Sequence, residues 1–109
     1  MTTPSATLAA FAANTTFTDI PEPVVRKIED LWVDWVGSVV AGKGARAVET
    51  IAQFAIAAGP EQGTAEIINA RRTTSPYFAA MANAAASHVA EQDDVHNGSV
   101  FHPATVVFP

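Results

Sequence analysis

The sequence predicts an all-α fold, a helical domain with at most one short strand near Thr64–Ile68, and three observations carry that expectation. Its 22 alanines cluster in stretches free of glycine and proline, where alanine favours helix because it loses no side-chain entropy there. Apolar residues recur at three- and four-residue spacing through the longest of these stretches. Prolines, glycines and small polar residues stand between the stretches, as helix starts and stops require.

The first helix is expected over about Ser5 to Ala13, with Leu8, Phe11 and Ala12 on one side, and it gives way at Asn14-Thr15-Thr16. The second has the clearest start. Asp19-Ile20-Pro21-Glu22-Pro23 combines a capping residue, early acids and two prolines, all suited to a first turn whose amide donors lack partners. From there Val24, Val25, Ile28, Leu31, Trp32, Trp35, Val36, Val39 and Val40 recur at three and four, with Arg26, Lys27, Glu29, Asp30 and Asp34 mostly between them. This amphipathic helix should end at Gly42 or Gly44. Its two tryptophans read as packing inside one subunit rather than as an interface.

A third helix should cover about Ala45 to Ala58, with Val48, Ile51, Ala52, Ala55 and Ile56 inward and Gly59-Pro60 as its stop. Thr64-Ala65-Glu66-Ile67-Ile68 is short, β-branched and bounded by Gly63 and a polar run from Asn69 to Ser75, so it is either a short strand or an extended linker. Ser75-Pro76 opens the last predicted helix, running to about Ala90. Its run of alanines lets neighbouring helices approach closely, and it should be buried on several sides.

A chain of 109 residues is one domain at most, either a single helical domain over 1–109 or the N-terminal segment of a larger helical catalytic domain. Charged residues make up 16%, against about 25% in ordinary soluble domains, while 49% are apolar. So little charge cannot clothe a small sphere, and the chain must pack against more protein or expose an unusual apolar area. A net charge of −5 and a pI near 4.9 have the wrong sign for a nucleic-acid partner. The absence of cysteine excludes disulfides, thiolate metal sites and a cysteine nucleophile. Met1-Thr2-Thr3-Pro4-Ser5 does not resemble a signal peptide, and no stretch reaches the roughly 18 apolar residues of a membrane span. A soluble, cytoplasmic protein with no membrane partner is the expectation.

Chemistry collects at the end of the chain. His88, His96 and His102 are its only histidines, they fall with Glu91, Asp93 and Asp94 within fifteen positions, and no Lys or Arg follows Arg72. A rigid helix followed by the irregular stretch Val95 to Pro103 suits a site, because the helix supplies a platform and the loop presents side chains. The competing reading is a solvated acidic turn on a scaffolding module. His88 and Glu91, three apart, read as a structural hydrogen-bonded pair rather than a catalytic dyad. Of Asp93 and Asp94, one should bond local backbone amides and the other point into a cleft, without the sequence deciding which. His96 and His102 flank the flexible turn Asn97-Gly98-Ser99, where imidazoles that titrate near neutrality suit proton transfer. The order His-x-x-Glu-x-Asp-Asp-x-His matches no tight zinc or di-iron spacing, so no metal is expected.

These residues resemble the MmgE/PrpD family. The resemblance rests on Asp19-Ile20-Pro21, Trp35-Val36-Gly37-Ser38, Met81-Ala82-Asn83 with His88, Glu91-x-Asp93-Asp94-x-His96, and His102-Pro103 with Val106-Val107-Phe108-Pro109. It spans nearly the whole chain, and its most specific part runs from the paired acids to His-Pro. The family includes 2-methylcitrate dehydratase, cis-aconitate decarboxylase and iminodisuccinate epimerase. The resemblance implies the N-terminal portion of a longer, usually dimeric enzyme that works without metal or other cofactor on small di- and tricarboxylates. It further implies His102 and Asp94 as catalytic, and Glu91, Asp93, His96 and Ser99 as substrate-binding. His102 would transfer a proton or bind an oxyanion, and Asp94 would orient an imidazole or a substrate hydroxyl. Val95 follows the paired acids where dehydratase-like members often have Thr. Binding several carboxylates normally takes Arg, Lys or a helix N-terminus. This segment has no permanent cation, so the positive charge is expected from the remainder of the catalytic unit or a companion chain.

Overall fold

A computed structural model describes residues 2–109 and shows a mostly helical domain with one small sheet. The first helix, α1 (Pro4–Asn14), starts one residue earlier than expected, with the Thr3 hydroxyl accepting from the Ala6 amide at 3.2 Å. No residue of α1 is buried. A 3-10 turn at Phe17–Asp19 follows, closed by the Asp19 carboxylate, which accepts from the amide and the hydroxyl of Thr16 at 2.9 and 2.7 Å. This turn aims the chain into α2 (Glu22–Ala41), whose prolines fall at its start as the sequence required.

The structure resolves the end of α2. Gly42 is its C-cap, and Gly44, at φ 84°, makes the left-handed turn into α3 (Arg46–Ala58). A methyl group at Gly42 would stand 2.1 Å from the Ala86 carbonyl, so glycine is what lets α2 end against the last long helix. Trp35 and Val39 are buried, whereas Trp32 is half-exposed. The tryptophan pair therefore divides. Trp35 joins the core, and Trp32 stays at its rim, stacked edge-on against Phe108 with centroids 5.4 Å apart.

Of the two readings of Thr64–Ile68, the strand is the one that forms. β1 (Ala65–Ile67) pairs antiparallel with β2 (Arg72–Thr74), with Glu66 opposite Thr73. β2 lies inside the polar run that periodicity left unassigned, because a three-residue strand carries too little alternation to announce itself. The hairpin is anchored by Asn83, whose side chain accepts from the Ile68 amide at 3.0 Å and donates to the Glu66 carbonyl at 2.9 Å.

Asn83 belongs to α4 (Pro76–His88), the alanine-rich helix, which ends two residues short of the expected Ala90. It is the central element. Ala79 and Ala82 pack with Ala52, Ala55 and Ile67 in one core cluster, while Ala86 packs with Trp35, Val39, Val48 and Ala104 in a second. Small side chains at these positions let α2, α3 and the hairpin all close upon one helix. A fifth helix, α5 (Pro103–Val107), has no counterpart among the expected elements, and its Ala104 is buried in the second cluster. No described helix is long and apolar enough to cross a membrane.

Candidate functional site

α4 stops at His88, and the chain then turns through Val89 to Asp94 with Glu91 at φ 50°. That turn breaks the shared helix face expected of His88 and Glu91: the Glu91 amide bonds the His88 carbonyl, and its side chain lies exposed. The partner of His88 is Asp93, which is buried. The loop that follows is closed by a bridge between His96 and Phe101, with the His96 amide donating to the Phe101 carbonyl at 2.7 Å. His102 emerges from the bridge as the residue before Pro103, the first residue of α5.

Three elements thus bring one carboxylate and two imidazoles together. Asp93 Oδ2 lies 3.1 Å from His88 Nδ1 and 3.1 Å from His102 Nδ1. The two rings meet edge to face with centroids 4.7 Å apart. Thr105, on α5, donates its hydroxyl to the same Asp93 oxygen at 2.6 Å, and Ser87 stands 3.2 Å behind it. The His88 contact is a hydrogen bond. His102 Nδ1 lacks that alignment, and although cut off from solvent it has no hydrogen-bond partner.

Burial is the largest influence on Asp93 and opposes its ionisation, but hydrogen bonds from Thr105, His88 and its own backbone amide, with the charge of His88, outweigh it. Its carboxyl is held below the usual aspartate range, and it remains an anion between the two rings.

The structure distributes the sequence-predicted residues unevenly. His102 and Asp93 meet in the cluster. Asp94 turns the other way and accepts from the Ala104 amide at 2.9 Å, securing the first turn of α5 and lining an apolar groove of about 210 Å³ with Pro103 and Phe108. The imidazole contact expected of Asp94 is made by its neighbour. His96 is exposed and within 2.9 Å of the Ser99 hydroxyl, so this pair closes its own loop. Thr105 was missed, although Pro103 signals a helix start and would place Thr105 within one turn of His102. Among the described residues, His88, Asp93 and His102 form a group whose potential ligand atoms all lie within 4.8 Å of one another. Sequence spacing could not reveal it, since His102 reaches the other two only through the loop bridge.

A family model described as the MmgE/PrpD N-terminal domain matches residues 6–109. Comparison with curated proteins and with solved structures returns no match.

Proposed function

The chain belongs to the MmgE/PrpD family, and on that premise we propose that it forms the N-terminal part of a lyase acting on a small di- or tricarboxylate. The reaction begins with removal of a proton from the carbon next to a carboxylate. Such a carbon is weakly acidic, so the site must supply a base and stabilise the enolate-like charge that develops. The observation that carries the reading is the convergence of two imidazoles on one buried carboxylate.

His102 takes the proton on Nε2, and Asp93, 3.1 Å from its Nδ1, balances the positive charge it gains. In dehydration, of the 2-methylcitrate dehydratase kind, the electron pair forms a carbon–carbon double bond as the neighbouring hydroxyl leaves with a proton as water. Decarboxylation and epimerisation are the alternatives: in the first, carbon dioxide is lost, and in the second, the proton returns to the other face. Asp94 fixes α5, and with it the position of His102. Glu91, His96 and Ser99, exposed on the adjoining loops, are placed in this reading as contacts to the substrate's outer groups.

The substrate's negative charge needs cations that this segment lacks after Arg72. They come from the remainder of the catalytic unit or a companion chain, and the working unit is a homo-oligomer. Replacing His102→Ala in the complete unit should lower turnover by about 10² to 10⁴; an unchanged rate removes His102 from the chemistry. The isolated chain should be inactive, and its turnover of 2-methylcitrate or cis-aconitate would refute the need for a cationic half. A non-catalytic interaction module is the second reading, favoured by the exposed apolar side chains of Leu8, Phe11 and Phe17. A kinetic loss in His102→Ala would sink it.

A further inference from the structure

His88, Asp93 and His102 offer more than a proton-transfer site needs. Zinc takes imidazole nitrogen and carboxylate oxygen at about 2.0–2.2 Å, so ligand atoms around a tetrahedral ion stand about 3.3–3.5 Å apart. Both imidazole-to-carboxylate distances here, 3.1 Å, are within a few tenths of an ångström of that spacing. All three ligand atoms lie within 4.8 Å of one another, and side-chain rotation would have to bring the two imidazole nitrogens onto one ion.

Two further observations point to a ligand. His102 Nδ1 is buried, 3.1 Å from a carboxylate oxygen but out of line with it, and without a hydrogen bond, a state that costs free energy which a bound cation would relieve. The Thr105 hydroxyl donates to the same Asp93 oxygen, Oδ2, and fixes the carboxylate's orientation, as the hydrogen bonds around metal-ligating carboxylates do. Asp93 is fully buried while the His88 side chain is about half exposed, so the cluster has one closed and one open side. That asymmetry gives an ion an entry path and a face for water.

We infer that His88, Asp93 and His102 bind one zinc-class divalent ion through both Nδ1 atoms and the Asp93 carboxylate, and that the ion blocks proton transfer there. Zinc on the buried His102 Nδ1 leaves the ring's one proton on Nε2, so the ring has no lone pair with which to take a proton from substrate. Binding rests on the geometry alone, while the block rests on the function proposed above.

Calorimetric titration of the purified chain with zinc chloride tests the first part, with magnesium chloride as the control because magnesium prefers oxygen ligands. Zinc should saturate at one equivalent and magnesium should not bind. Thr105→Val should weaken zinc by about 10- to 100-fold, the usual effect of losing an outer partner. His88→Gln, at a half-exposed position, and His102→Gln should weaken it at least as much, whereas His96→Gln should leave it unchanged. No saturable zinc binding, or binding that survives both His88→Gln and His102→Gln, overturns the site. The second part is read in the complete unit, where saturating zinc should abolish turnover; retained turnover refutes the block while the calorimetry stands. A complete unit without lyase activity would refute the proposed function and leave the calorimetric result untouched.

Discussion

Asp93 and Asp94 are adjacent in the chain and have opposite tasks. One is buried between two imidazoles and a threonine hydroxyl, and the other caps a backbone amide at the start of α5. Because folding holds the Asp93 carboxyl below its ordinary pKa of 3.8, the folded chain binds this proton less readily than the unfolded chain. The resulting stability is fully present above that ordinary value and is lost as pH falls through the lower folded value. Urea midpoints measured from pH 7 down to 2.5 should therefore fall in the acid range, and Asp93→Asn should flatten that part of the fall. At pH 7 the same substitution should cost about 1–3 kcal/mol, because it disturbs a buried, fully bonded acceptor. The sequence placed two acids after α4 and expected one to bond local backbone amides and the other to face a cleft. Asp94 does bond an amide, though ten residues away, and Asp93 is buried against imidazoles instead. The sequence could not assign the two tasks, since these depend on the φ of Glu91 and on how the His96–Phe101 bridge returns the chain. Neither is encoded in residue spacing.

The long helices were legible because their signals are redundant: the α2 stripe, its two prolines and its terminal glycines all agree with one another. The short elements were not. β2 has three residues and α5 has five, shorter than the roughly four residues over which strand alternation, or about eleven over which helical periodicity, can be recognised. What holds them is tertiary, with Asn83 bonding the hairpin and Asp94 and Thr105 fastening α5. The close approach of α2 to α4 gives a direct test at this scale. Gly42→Ala would drive a methyl group into the Ala86 carbonyl and should destabilise the fold by about 1–3 kcal/mol, read as a lower denaturant midpoint. Gly37, in the middle of α2 with nothing within 4 Å of an added methyl, is the contrast. Gly37→Ala should instead raise stability by about 0.5–1 kcal/mol by removing a helix-interior glycine.

The molecule as a whole exposes 7645 Å², where the size of the chain predicts about 5,800 Å². Its radius of gyration is 16.2 Å against about 13 Å for a compact chain of this length. The shortage of charge noted in the sequence thus appears as excess surface rather than as an oversized core. Sedimentation of the purified chain should give a mass above 11.4 kDa, and Leu8→Glu with Phe11→Glu should shift it toward the monomer. A strictly monomeric wild type would show that no second copy covers this face. At eleven residues with none buried, α1 is shorter than the roughly 12–15 residues at which a lone helix holds its shape in water. Such a helix should fray when Leu8 and Phe11 are uncovered and hold its shape when a neighbour covers them. Amide exchange along its backbone is therefore a gauge of assembly, readable without any knowledge of the reaction.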